Sequence, residues 1–138
     1  MSTLRFGVFD EFKGGRTLLL WGGRDAIAAL RTVFRELAGG TSRATALHET
    51  GWAEGVRSTR LFLGLAESNA EQALQLSQTN GATSVTWNGT SSEFGGYADL
   101  IAPLLDPECT SGHQYLEANR NCAFRIMVSK GEYPDDLN

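Results

Sequence analysis

Apolar and other residues alternate at the start of the chain. Leu4-Arg5-Phe6-Gly7-Val8-Phe9 has the period of a half-buried strand. Lys13-Gly14-Gly15-Arg16 then supplies a glycine turn, and Thr17-Leu18-Leu19-Leu20-Trp21 reads as the return strand, so the first 22 residues predict a hairpin. Beyond Gly22-Gly23 the period changes. Ile27, Leu30, Val33, Phe34 and Leu37 recur at helical spacing while Arg31, Arg35 and Glu36 fall off that face, which predicts a helix over about 25–38. Gly39 stands where a left-handed C-terminal cap is wanted.

Residues 44–50 make a weaker strand, and Gly51-Trp52-Ala53-Glu54-Gly55 reads as a loop. In Thr59–Leu65, Leu61, Leu63 and Leu65 lie on one face and Arg60 and Phe62 on the other, as in a strand. Residues 69–88 fit two templates. Ser68-x-x-Glu71 with Ala70, Ala73 and Leu74 matches a capped short helix. The alternation of Leu74 and Leu76, the Asn80-Gly81 pair and the run Ser84-Val85-Thr86-Trp87 match a hairpin, which is favoured. Ser91 or Ser92 is placed to cap a second helix over about 92–105, with Phe94, Tyr97, Ala98, Ile101, Leu104 and Leu105 as its apolar face. Gly95, Gly96 and Pro103 weaken it, because glycine costs about 1 kcal/mol in a helix and proline more. Two late strands, about 112–117 and 122–129, close the series. No internal repeat or linker is visible. The order predicts a single α+β domain over 1–138, a mainly antiparallel sheet of about six to eight strands packed with two helices, and a flexible tail at 135–138.

Charge sharpens this picture. The net charge of −4 divides unevenly: residues 1–60 hold nine basic and six acidic side chains, and residues 61–138 hold three basic and ten acidic ones. The balances are +3 and −7. An acidic half repels phosphate, which disfavours nucleic acid as a partner, and it steers a basic protein surface toward itself. The N-terminus runs straight into strand-like residues without a leader's apolar stretch. The longest bulky apolar run, Leu18–Trp21, is far short of the roughly 20 residues of a membrane span. A cytoplasmic protein is expected, with no membrane partner. Cys109 and Cys122 are the only cysteines; thiols are expected in a reducing compartment, and their places flanking a strand pair leave a disulfide open as the alternative.

No complete catalytic or metal motif appears, and no cofactor is called for. Gly22-Gly23 before a helix resembles a phosphate cradle but lacks the spacing of either nucleotide fingerprint. Cys109, His113 and Cys122, with His48 or Glu117 as a fourth ligand, carry zinc-binding atoms without a paired C-x-x-C. A Cys109 or Cys122 nucleophile with His113 as base lacks a glycine-framed elbow. In a strand His113 and Tyr115 share one face, and two readings of them stand side by side. One is a buried tyrosine with a hydrogen-bonded histidine. The other is a partner-binding surface of His113, Tyr115, Glu117, Glu132, Tyr133, Asp135 and Asp136, with Trp52 and Trp87 as further anchors.

The segments GHQYLE (112–117) and SKGEYP (129–134), with the strand Val85-Thr86-Trp87 and a helix between, resemble a group of small bacterial proteins of unknown function. The resemblance covers roughly the last third of the chain. It implies a standalone bacterial domain and assigns no residue a role. The function expected from all of this is a non-enzymatic interaction protein, similar to the immunity proteins that neutralise a toxin domain by binding it. The alternative is a small enzyme or ligand-binding protein with a pocket near His113, using Glu117, Cys109 or Glu132. A third option is a homodimer joined through an exposed strand edge.

Overall fold

The computed structural model describes residues 3–12, 15–68, 73–116 and 124–137, and among these nine strands and two helices form. The opening hairpin is β1 (Leu4–Phe12) paired antiparallel with β2 (Gly15–Gly22), with a register shift between Phe9 and Phe12. Helix α1 (Arg24–Ala38) buries Ile27, Leu30, Val33, Phe34 and Leu37, the face its spacing predicts. At its end Gly39 keeps a right-handed conformation (φ −85°), and Gly40 takes the left-handed one (φ 77°), one residue later than expected.

The next part departs further from expectation. Only Ala44–Ala46 of the 44–50 segment is strand (β3), followed by a 3₁₀ turn at Leu47–Glu49. Ala53–Gly55, expected as loop, is a short strand β4 that pairs parallel with β1. A second 3₁₀ turn at Val56–Ser58 leads to β5 (Arg60–Leu65). The ambiguous segment is a hairpin: β6 (Ala73–Thr79) and β7 (Ala82–Gly89) turn at Asn80 (φ 53°) and Gly81 (φ 79°), both left-handed as a tight type I′ turn requires. Residues 69–72 of that segment lie outside the described residues.

Thr90, rather than either serine, caps helix α2 (Ser91–Ile101). Its hydroxyl accepts from the Glu93 amide while the Glu93 carboxylate accepts from the Thr90 amide. Pro103 ends the regular helix early, and Ala102–Leu105 continues as a 3₁₀ turn, since proline lacks the donor that an α-helix needs there. The chain then forms β8 (Gly112–Leu116) and β9 (Arg125–Lys130), paired antiparallel.

The strands make two mixed sheets, in the orders β4-β1-β2-β9-β8 and β3-β5-β7-β6. Each sheet has a parallel pair at its heart, β2 with β9 and β5 with β7. This exposes a repeat hidden from the sequence. Hairpin, helix, hairpin occurs twice: β1-β2, α1, β3-β5, then β6-β7, α2, β8-β9. The first hairpin of each unit pairs with the second hairpin of the other, so β1-β2-β9-β8 corresponds to β6-β7-β5-β3. Matching backbone bonds mark the junctions, where Gly131 N–H donates to Gly22 O and Ala66 N–H donates to Gly89 O just before the two helices start.

The inner faces of both sheets and both helices share one core. Leu4, Phe6, Leu18, Leu20, Ile126 and Val128 enter it from the five-stranded sheet, and Leu61, Leu63, Val85 and Trp87 from the four-stranded one. Phe34 of α1 stands edge-on to Trp87 at 5.6 Å and stacks with Phe94 of α2 at 5.9 Å. The result is an α+β fold built around a single core. Among the described residues no helix is long and apolar enough to cross a membrane.

Candidate functional site on the outer face of the five-stranded sheet

The period of two that sends Leu18, Leu20, Ile126 and Val128 inward sends Leu19, Trp21, Met127 and Ser129 to the other face. Cross-strand register lines these residues up. One row runs Glu54–Arg5–Trp21–Ser129–His113 across all five strands, and the next runs Gly7–Leu19–Met127–Tyr115. Leu19, Trp21 and Met127 form a small second core on this face, at 0–1% exposure. Phe9, Phe12 and Val56 cover them on one side, and the segment after β9 completes the cover.

That segment reverses at Gly131 (φ 71°), where an added Cβ would run into Thr110 O, and then crosses back over the sheet as a strap. Glu132 anchors it first. Its carboxylate lies 3.0 Å and 3.2 Å from His113 Nδ1 and accepts from the buried Ser129 hydroxyl at 2.6 Å. The Tyr133 ring meets Phe12 edge-on at 5.3 Å, and the Trp21 indole N–H donates to Pro134 O at 3.0 Å. Leu137 packs on the same small core. Asp135 and Asp136 remain exposed and line an open hollow of about 490 Å³ with Arg5, Glu54, Arg57 and Leu137.

Beside the strap the sheet is open. Tyr115 is 39% exposed, with the His113 ring edge-on at 5.5 Å and the Arg125 guanidinium 5.5 Å from its own ring. Arg125 also donates to Phe12 O at 2.8 Å, which ties β9 to the end of β1. Another arginine of this face, Arg5, has a carboxylate partner in Glu54 at 2.6 Å. The strap therefore presents Glu132, Asp135 and Asp136 along a face whose arginines are largely occupied.

Of the residues expected at a site, His113, Tyr115, Glu132 and Tyr133 come together, with Asp135 and Asp136 further along the same segment. Glu117 lies outside the described residues, as does Cys122. Trp52 does not join them. It packs partly buried against the main core, and its carbonyl accepts from Leu4 N–H. Trp87 is fully buried among Phe34, Phe94 and Tyr97, so it is core and no surface anchor. His48 is structural, since Nδ1 accepts from Leu61 N–H and the ring stands edge-on to Phe62. The Gly22-Gly23 junction is a packing device, because a Cβ at Gly22 would meet Ala26 and the Thr3 carbonyl.

The chemistry of the cluster is limited by its geometry. Cys109 lies against the main core, whereas His113 projects from the opposite face of β8, so the two do not form a nucleophile–base pair. Ser129 is fully buried and donates to Glu132, which puts the carboxylate in the middle of the chain of hydrogen bonds, where a serine hydrolase needs its histidine. Among the described residues no group of three metal-ligating side chains converges. Sequence reading missed Ser129, Trp21 and Phe12 as parts of this site. Ser129 was signalled only as a polar break after Ile126-Met127-Val128, and the other two join through register that is not local. Comparison with protein-family models, curated proteins and solved structures finds no match to this chain.

Proposed function

We propose that the protein is a non-enzymatic bacterial interaction module that binds a basic protein partner through the outer face of its five-stranded sheet. The observation that carries this reading is the gathering of His113, Tyr115, Glu132 and Tyr133 on one solvent-facing surface, with Asp135 and Asp136 on the same strap. A part-exposed tyrosine over a fixed support suits an anchor, because little side-chain freedom is lost when it is covered. The acidic strap supplies complementarity to a cationic surface and speeds encounter. A toxin domain whose active site is basic fits these requirements, in the manner of an immunity protein. Affinity capture from the source cell, beginning with products of neighbouring genes, is the test. A stoichiometric basic partner should bind the native chain, and Tyr115→Ala should weaken it by about 2 kcal/mol, roughly thirtyfold. Asp135→Lys with Asp136→Lys should slow association and flatten its salt dependence. Absence of any stoichiometric partner, or one indifferent to these changes, would sink the reading.

The ligand-binding alternative has one observation behind it, the carboxylate-oriented imidazole of His113. On that reading His113→Ala abolishes a ligand-induced thermal shift in a screen of metabolites and nucleotides. A screen without any shift removes it.

A further inference from the structure

Four strands lie at sheet edges, and they are unequal. β3 and β4 are three residues long, and β8 has five. β6 runs for seven residues in unbroken register with β7, from Ala73↔Asn88 to Thr79↔Ala82. Exposed edges of this length invite pairing with another strand, and proteins guard them with lysine, proline, bulges or a cover. β6, Ala73-Leu74-Gln75-Leu76-Ser77-Gln78-Thr79, carries no charge and no proline, and its pairing with β7 has no bulge. The neutrality extends well past the strand, since all 21 residues from Gln72 to Ser92 are uncharged in a chain that is 20% charged.

The fold's own repeat covers the corresponding edge. β1 occupies in the five-stranded sheet the position of β6 in the other, and there the edge is covered by an added strand, β4. Among the described residues β6 is the last strand of the four-stranded sheet. The outer face behind it is also nearly free of charge. Gln75, Thr86, the 38% exposed Phe62 and Ala46 form one row across it, and Ser77, Ser84 and Arg60 form the next.

We infer that the β6 edge pairs antiparallel with the β6 edge of a second copy of this chain, joining two four-stranded sheets into one of eight across a two-fold axis. Such pairing sets two copies of one segment against each other, so a charge near the axis would be repeated close by on the facing strand, and β6 has none. With the axis at Leu76, the half-buried Leu76 meets its counterpart, and each Gln75 faces a Ser77 with which it can hydrogen-bond. β6 lies in the other sheet from the proposed partner face, and only Gln78 near its end reaches a hollow shared with Val56 and Arg57.

Sedimentation or light scattering over a micromolar-to-millimolar series should show the mass rising from 14.9 kDa toward twice that value. Gln75→Lys with Ser77→Lys, both at exposed positions, should keep the circular dichroism of the native chain and raise the dimer dissociation constant at least about tenfold, since like charges oppose directly. Tyr115→Lys on the other sheet should dimerise as the native chain does. Independently of any variant, alternate β6 amides should exchange more slowly as concentration rises. A native chain that stays monomeric throughout, a dimer indifferent to the two lysines, or one dissolved by Tyr115→Lys would overturn the inference. So would an edge that takes up an extended peptide from another protein while the chain remains monomeric.

Discussion

Glu132 illustrates how a single side chain acts here. It stands in an exposed turn, yet its carboxylate accepts from the Ser129 hydroxyl and pairs with His113, so it fastens the strap to the sheet. Glu132→Ala leaves the Ser129 hydroxyl buried without that acceptor, and the expected loss is about 1–3 kcal/mol in urea unfolding. Glu132→Gln retains an acceptor oxygen and should recover most of it. Equal stability of Glu132→Ala and the native chain would mean that the carboxylate is no anchor. Tyr115, by contrast, is open enough that its removal should cost little stability. That His113 and Tyr115 share a face, with Glu132 beside His113, was legible because strand alternation and proximity in the chain are local properties. Trp87, expected as an anchor, is core instead. An indole in a loop-like or strand-like context carries no local mark of which side it faces, and only the packing of Phe34, Phe94 and Tyr97 around Trp87 decides.

Among the elements, the strap of residues 131–137 does work that no periodicity announces. It has no apolar repeat, yet it closes the small core of Leu19, Trp21 and Met127 through the Tyr133–Phe12 contact, the Trp21–Pro134 hydrogen bond and Leu137. The last residues of the chain, 135–138, carry only the signal of a chain terminus, which predicts a flexible tail. Ending the chain after Gly131 should expose the indole of Trp21 and parts of Leu19 and Met127. Full burial of each such side chain is worth about 1.5–3 kcal/mol, so a total loss of about 3 kcal/mol or more is expected. Denaturant unfolding reads that loss, and a red-shifted tryptophan emission reports the wetter indole. Unchanged stability and emission would show that the strap covers nothing of consequence. Elements with strong local signals were legible, α1 by its apolar period and the β6–β7 hairpin by Asn80-Gly81. β4 was not, since three residues, Ala-Glu-Gly, hold no strand signal and pair only because β1 lies alongside.

For the molecule as a whole, the decisive property is that neither half closes a sheet by itself. The hairpins β1-β2 and β3-β5 sit in different sheets, each completed by a hairpin from the second half through β2–β9 and β5–β7. Neither parallel pair could be read from the sequence, because parallel strands are joined by long crossovers and their register is set across the whole chain. The repeat was invisible for the same reason, since it survives in topology and in the Gly22 and Gly89 junctions and not in residue identity. This gives the charge asymmetry a second meaning. Split after Glu67, the chain yields a piece with nine basic and seven acidic side chains, +2, and a piece with three basic and nine acidic ones, −6. Side chains bind carbonyls across the divide as well, with Arg24 donating to Leu105 O, Arg31 to Ala98 O and Arg125 to Phe12 O. Residues 1–67 and 68–138 produced separately are each expected to be unfolded, because each holds only part of both sheets and each helix lacks its apolar partner. Mixed, they should regain the circular dichroism of the intact chain. The rate of recovery should fall as salt screens the attraction between the cationic and anionic pieces, whose range is about 10 Å at 0.1 M. Cooperative unfolding of either piece alone, or mixtures that gain no structure, would refute the interlocked-halves account. Recovery insensitive to salt would separate the two claims, keeping the interlock and returning the acidic half to a role in binding a partner.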